Sequence, residues 1–170
     1  MTLVPIVDEH DNIIDHMERE DVDGSGQLRR IASLWLTNSH GEILLAKRSS
    51  HKKHHPNKWG FAVAGAVEKE ESYEETIRRE LGEELGIYDL AMTLGPKFIT
   101  RESDRERFYC QYFFATKDIP RQEFHLDPLE VAEVRWFTVS GLLTELEKVP
   151  DGFLNNSAGW KEWITNNHPF

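Results

Sequence analysis

Two short apolar runs, Val4 to Val7 and Ile13 to His16, flank the polar segment Asp8-Glu9-His10-Asp11-Asn12. Extended runs on either side of turn-forming residues predict a β-hairpin. Asp23-Gly24-Ser25-Gly26 follows; no strand pattern leads into it and no helix pattern leaves it, so it reads as a flexible connector and not as a phosphate-binding loop. Residues 1–27 thus form an N-terminal hairpin extension and connector. Ile31 to Leu36 and Glu42 to Ala46 are β-like and are joined by Asn38-Ser39-His40-Gly41, a second hairpin signal. A basic loop runs from Lys47 to Lys58, and Trp59 to Val67 is apolar and punctuated by Gly60 and Gly65. From Ser72 to Leu85 the period changes. Tyr73, Ile77, Leu81 and Leu85 recur every four residues, the stripe of an amphipathic helix. Ser72 with Glu75 makes a capping box at its start, and Gly86 supplies its C-terminal stop. Strands are predicted near Lys97 to Thr100, Phe108 to Ala115 and Val131 to Phe137, and helices around Gly141 to Glu147 and Ala158 to Asn166. This mixed order predicts an α/β fold with helices on both faces of a sheet.

Composition bounds the picture. A chain of 170 residues with 39% hydrophobic content buries one sizeable core, so residues 1–170 are expected to form a single domain. The formal charge of −10 disfavours nucleic acid and anionic membrane as partners, and it suggests that an acidic ligand arrives with a cation. No apolar run approaches the ~18 residues of a membrane-spanning helix. With Cys110 as the lone cysteine no intrachain disulfide forms, and the first residues lack the pattern of a secretory signal, so a cytoplasmic location is expected. A homodimer is left open.

The chemistry concentrates on the Ser72 to Leu85 helix. At about 100° per residue, Glu80, Glu83 and Glu84 fall in one arc bordering the apolar stripe. Glu80 and Glu84 form a like-charge i,i+4 pair costing roughly 0.2–0.5 kcal/mol. All three lie in the last two turns, where the helix dipole disfavours each nearby anion by about 0.3–1 kcal/mol. A carboxylate cluster set against both rules, on a helix otherwise well capped, suggests a site relieved by a bound cation. A solvated acidic face partnered by Arg78 and Arg79 is the competing reading.

The segment resembles the Nudix box: a glycine, five residues, Glu, seven residues, Arg-Glu, an aliphatic, one residue, Glu-Glu, one residue, Gly and an aliphatic. Gly65, Glu71, Arg79, Glu80, Leu81, Glu83, Glu84, Gly86 and Ile87 supply every position. From residue frequencies, a chance match in a chain of this length is on the order of 10⁻⁸. The resemblance implies an α/β/α sandwich with a mixed sheet, in which the box is a loop, a helix and a second loop. It implies Glu80 and Glu84 as principal ligands of Mg²⁺ or Mn²⁺, Glu83 as ligand or base, and an assisting Gly65 carbonyl. By the same resemblance Glu71 and Arg79 orient the ligands. The implied reaction is attack of a metal-activated water on the phosphorus of a small-molecule diphosphate.

Lys47-Arg48-Ser49-Ser50-His51-Lys52, followed by Pro56 and Trp59, resembles the corresponding loop of isopentenyl-diphosphate isomerases and of the Nudix hydrolases similar to them. That similarity implies that Arg48 and Lys52 face the substrate phosphates. The isomerase activity itself is not expected, because the positions of its catalytic Cys and metal-binding His are Ala64 and Ala66 here. Cys110 lies in an apolar run and reads as a structural thiol. Resemblance also suggests an extra carboxylate outside the box, and Glu130 and Glu133 are the candidates for an additional ligand or general base.

Other groups carry weaker signals. His51, His54 and His55 lack the partners of a zinc motif and read as a basic loop. Arg101, Asp104, Arg105 and Arg107 read as a charged turn, and Trp35, Trp59, Phe61 and Phe98 are candidates for stacking on a base or for the core. The expected function is hydrolysis of a phosphoanhydride bond in a nucleoside diphosphate derivative or nucleoside triphosphate. The alternative on the same fold is a non-catalytic nucleotide-sensing or partner-binding module.

Overall fold

The computed structural model describes residues 2–103, 105–154 and 158–166. Strands β1 (Leu3–Val7) and β2 (Ile13–Glu18) form the N-terminal hairpin, and a short helix α1 (Arg19–Val22) follows. The centre of the molecule is β3 (Leu28–Thr37). One edge of β3 runs parallel to β8 (Glu106–Thr116) along its whole length, from Leu28 opposite Arg107 to Thr37 opposite Thr116. The other edge is shared in turn by β1, by β6 (Val63–Ala66) and by β4 (Ile43–Arg48). Strand β4 also pairs with β5 (Trp59–Phe61) and β9 (Val131–Phe137), and β7 (Thr93–Ser103) closes the far side against β8. One parallel pairing among antiparallel ones makes the sheet mixed.

Alternation along the strands builds two cores, because successive side chains point to opposite faces. Ala32, Leu34 and Leu36 of β3, with Leu44 and Ala46 of β4, pack beneath helix α2 (Tyr73–Glu80) against Ile77, Leu81 and Leu85. Trp35, Ile43 and Leu45 point the other way, toward Leu142 of α3 (Val139–Lys148) and Trp160 and Ile164 of α4 (Ala158–Asn166). The sheet therefore lies between helical layers, the α/β/α arrangement expected from the sequence.

The capping box is formed. Ser72 Oγ accepts from the Glu75 amide at 3.2 Å, and Glu75 Oε2 accepts from the Ser72 amide at 2.8 Å. The helix differs from the expectation in its last turn. Leu81–Leu85 is a wider π-helical turn ending at Gly86, whose φ of 70° is left-handed. Strand β7 is longer than Lys97 to Thr100, and α3 begins at Val139, two residues earlier than expected, with the Thr138 hydroxyl capping it by accepting from the Gly141 amide. The connector is also more ordered than its composition suggested, since Asp23 forms an ion pair with Arg29 at 2.7 Å and meets His54 Nε2 at 3.1 Å. No helix of the described residues is long and apolar enough to cross a membrane.

Candidate active site

Glu71, Arg79 and Glu80 form the framework of the site. Arg79 donates to Glu71 through Nε at 2.7 Å and Nη2 at 3.1 Å, a two-point fork on one carboxylate. Glu71 also accepts from the Glu68 amide at 3.2 Å and the Thr76 hydroxyl at 2.9 Å. These donors, Arg79 foremost, hold its carboxyl below the ordinary range despite partial burial. The remaining terminal nitrogen of Arg79 reaches Glu80 at 3.0 Å and Glu83 at 3.1 Å. One guanidinium thus gathers three box glutamates.

Glu80 lies against Gly65, and the absence of a side chain there is what admits it. A Cβ built on Gly65 would stand 2.2 Å from Glu80 Oε1. Burial raises the Glu80 carboxyl above its usual range, against the neighbouring Arg79 charge. Glu84 is perturbed further, to about 8, first by burial and then by the charges of Glu80 and Glu130, with Lys52 and Arg48 opposing. Glu83 differs from both, since its side chain is 60% exposed. At about 100° per residue Glu84 falls nearer the apolar stripe than Glu83, and the π-helical turn keeps that division, with Glu84 inward and Glu83 out.

Beside this framework lies a cleft of about 590 Å³. Its floor is the face of β3, β6 and β8 left open by the C-terminal helices, carrying Ile31, Ser33, Ala64, Phe108 and Cys110. Gly65 and Glu130 border it, as do Arg48, Lys52 and all three loop histidines. A smaller adjoining pocket shares Arg48, Ala64 and Glu130 with the cleft and adds Glu84.

The expected site residues therefore divide. Gly65, Glu84, Arg48, Lys52 and Glu130 meet at the cleft or its side pocket; Glu71, Arg79, Glu80 and Glu83 form the network behind Gly65. Glu130 forms an ion pair with Lys52. Glu133 shares the strand face of Arg135 and Phe137, away from Val134 and Trp136 beneath the box helix, and does not line the cleft. The Arg101 to Arg107 segment is the tip of the β7–β8 hairpin, where Arg107 pairs with Glu9 at 3.0 Å; Asp104 lies outside the described residues. Of the aromatic candidates, Phe61 reaches the cleft, Trp35 and Trp59 are core, and Phe98 stacks on Tyr112. Cys110 is buried beside Ser33, and burial raises its thiol to about 11, the environment of an inert thiol.

Several residues of the site gave no signal in the sequence. Buried Ser49 donates its hydroxyl to the Pro128 carbonyl at 2.8 Å and its amide to that of Glu130 at 2.9 Å, tying the basic loop to the turn that presents Glu130. The Asp127 amide donates to the Glu84 carbonyl at 3.2 Å, fixing that turn to the end of the box helix. Phe108 and Arg19 also line the cleft.

The donor set suits a hard divalent cation, because Glu80, Glu83, Glu84, Glu130 and the Gly65 carbonyl offer oxygen only. Glu84 in particular is a buried carboxylate facing two like charges, an arrangement that a cation relieves. Among the described residues no three His, Cys, Asp or Glu side chains already converge as metal ligands, and Arg79 engages Glu80 and Glu83.

Comparison with known proteins agrees with this architecture. The NUDIX domain family model matches residues 27–156. An uncharacterised Nudix hydrolase of Pseudomonas aeruginosa is 31% identical over 87% of this chain and 85% of its own length. A solved structure from Deinococcus radiodurans superposes with a TM-score of 0.73 at 25% identity, covering 86% of this chain and 89% of that one. The chain belongs to the Nudix family. An isopentenyl-diphosphate isomerase of Photorhabdus laumondii is also similar, 26% identical over 88% of this chain and 84% of its own.

Proposed function

We propose that this protein is a Mg²⁺- or Mn²⁺-dependent hydrolase that cleaves the diphosphate linkage of a nucleoside diphosphate derivative or a nucleoside triphosphate. The observation that carries the reading is Glu84. It is an inward-turned carboxylate crowded by Glu80 and Glu130 and faced by Arg48 and Lys52, at the edge of a cleft large enough for a small molecule. Metal ligation accounts for the acids, and phosphate recognition accounts for the bases.

In this proposal Gly65, Glu80, Glu83 and Glu84 hold the cation, which when bound supplies charge neutralisation at the phosphates and acidification of the attacking water. Arg79 fixes Glu80 and Glu83 through its own fork to Glu71, so the ligands are oriented before substrate arrives. Arg48 and Lys52 bind and orient the diphosphate. Glu130, held at the cleft by Lys52 and by the Ser49 and Asp127 backbone contacts, takes the proton of the attacking water. The rings of Phe61 and Phe108 offer an apolar seat for the group attached to the diphosphate.

Isomerisation of isopentenyl diphosphate is disfavoured by the same cleft. Ala64 and Ala66 line it at the positions where the isomerase carries its Cys and His, and a methyl group can neither donate a proton nor bind a metal. The testing experiment is a panel of nucleotide diphosphates and triphosphates incubated with Mg²⁺, with Mn²⁺ or with EDTA, the phosphate products being resolved by ³¹P NMR. Cleavage confined to the metal-containing samples supports the proposal. Tight nucleotide binding with no product under any condition would assign a sensing module instead, and full turnover in EDTA would rule out the metal-dependent mechanism.

A further inference from the structure

The N-terminal hairpin carries at its tip a carboxylate that its own turn does not use. Asp8 closes that turn by accepting from the His10 and Asn12 amides at 2.8 and 2.9 Å. Asp11 stands at φ 65°, a left-handed conformation that glycine or asparagine would adopt as readily, so the turn alone gives no reason for an acid there. Its side chain is only 8% exposed although it belongs to a hairpin tip. The carboxylate accepts from three separate elements of the body: Arg30 Nε of β3 at 2.7 Å, Lys97 Nζ of β7 at 2.7 Å and the Tyr73 hydroxyl at 2.9 Å. Burial opposes the Asp11 charge, and the hydrogen bonds from Lys97, Arg30 and Tyr73 outweigh it, holding the carboxyl below its ordinary range.

Tyr73 is the first residue of the box helix. The Arg30 guanidinium lies over its ring at 5.3 Å and the Lys97 ammonium at 5.5 Å, so the ring and the hydroxyl are held by the same cluster. Four residues earlier, the Lys69 amide donates to the Leu3 carbonyl of β1 at 2.8 Å. The loop from Lys69 to Tyr73 is therefore tied to the extension at both ends. Glu71 lies midway between the two ties, and its carboxylate is the one that Arg79 engages through Nε and Nη2. A continuous set of contacts thus runs from the hairpin to the Glu71 loop, then to Arg79, and on to Glu80 and Glu83. Leu3 and Asp11 both lie outside the 27–156 span matched by the family model.

We propose that Asp11 is a positioning residue of the site: together with the Leu3 carbonyl it fixes the loop that presents Glu71, and through Glu71 and Arg79 it sets the orientation of Glu80 and Glu83. The inference rests on the metal-site reading of those glutamates. It goes beyond that reading in making the N-terminal extension part of the frame of the site.

Two measurements on the full chain test this, both well below the melting temperature. Mn²⁺ affinity is read from the electron paramagnetic resonance signal of the free ion, and exchange of the Arg79 Nε proton with water is read by NMR in the metal-free protein. The variants are Asp11→Asn, Tyr73→Phe and the two combined; Glu9→Gln, which releases the hairpin's separate tie to Arg107, is the control. Asp11→Asn and Tyr73→Phe are each expected to weaken Mn²⁺ binding by about threefold to tenfold and to speed exchange of the Arg79 proton by about the same factor. Because both break one contact path, the double variant should lose little more than the larger single effect. Glu9→Gln should stay within about twofold of wild type in both readouts. Wild-type Mn²⁺ affinity and Arg79 exchange in Asp11→Asn and Tyr73→Phe would overturn the assignment, even if their melting temperatures fall, since the contact would then be structural only. An equal loss in Glu9→Gln would overturn it too, by showing that any loosening of the hairpin has the same effect. Failure of the wild-type protein to bind Mn²⁺ would remove the metal reading and the assignment together, an outcome that the wild-type sample alone distinguishes from failure of the assignment.

Discussion

Glu71 and Arg79 meet fork to fork, at 2.7 and 3.1 Å, and the pair is bound on to Glu80 and Glu83 by the guanidinium nitrogen left over. Seven residues lie between them in sequence, and the loop-to-helix turn closes the gap. A fixed Arg79 holds Glu80 at one angle, so precision at the site depends on a contact that need not touch substrate.

Arg79→Lys tests this dependence. An ammonium keeps the charge but cannot serve both oxygens of Glu71 while also reaching Glu80 and Glu83. Turnover is expected to fall by about 10- to 100-fold, with the Mg²⁺ concentration needed for half-maximal rate raised. Steady-state rates across a Mg²⁺ titration measure both, and an unchanged Mg²⁺ dependence would show that Arg79 does not orient the ligands.

Gly65→Ala should act by sterics alone, because the left-handed conformation that would add strain is absent at Gly65. The new methyl would meet Glu80 Oε1 at 2.2 Å, so the carboxylate must swing away or the strand must shift. A loss of turnover of about tenfold or more is expected, equivalent to roughly 1.4 kcal/mol of transition-state stabilisation. Comparison of rates with melting temperature separates a displaced carboxylate, which spares folding, from a disrupted strand, which does not.

The pH dependence of the metal-free protein follows from Glu84. Its carboxyl is raised to about 8 in the folded state, mainly by burial, so the folded chain holds a proton there that the unfolded chain has released. Ionised Glu84 therefore destabilises the fold, by an amount that grows as pH rises from the ordinary glutamate range to about 8 and is then constant. Replacement by Gln removes this term. In EDTA, Glu84→Gln is expected to gain melting temperature relative to wild type more at pH 8 than at pH 5.5. A pH-independent difference would show that the Glu84 environment in solution is not the buried one described here.

No allylic product is expected from isopentenyl diphosphate, since Ala64 and Ala66 stand in the cleft where proton donation and metal binding would be needed. Proton NMR of an overnight incubation with Mg²⁺ measures this directly. Appearance of the allylic isomer would require another acid in the cleft.

Much of this was legible in the chain itself. The four-residue apolar stripe from Tyr73 to Leu85, the Ser72 cap and the Gly86 stop are local signals, and the structure forms all of them. The spacing of Gly65, Glu71, Arg79 and the three later glutamates pointed to one cluster for the same reason. What sequence could not give was the exposure of each acid. The helical period sets Glu84 nearer the apolar stripe than Glu83, but how deeply Glu84 is buried depends on Glu130 and the basic loop, which come from elsewhere in the chain. Glu130 and Glu133 were equal candidates because the sequence did not show that β9 begins at Val131, which leaves Glu130 in the turn held by Ser49 at the cleft and Glu133 on the strand outside it. Ser49 reaches across the fold to the Pro128 and Glu130 carbonyls, contacts that no local pattern encodes.

The central claim is that Glu84 is a working metal ligand and not part of a solvated acidic face. Turnover of the best substrate from the nucleotide panel by Glu84→Gln in saturating Mg²⁺ tests it most directly, because Gln keeps the size and helix compatibility of Glu and removes only the charge. A loss of at least about tenfold is expected, with metal-free melting temperature held or slightly raised. Wild-type turnover in Glu84→Gln would contradict the account.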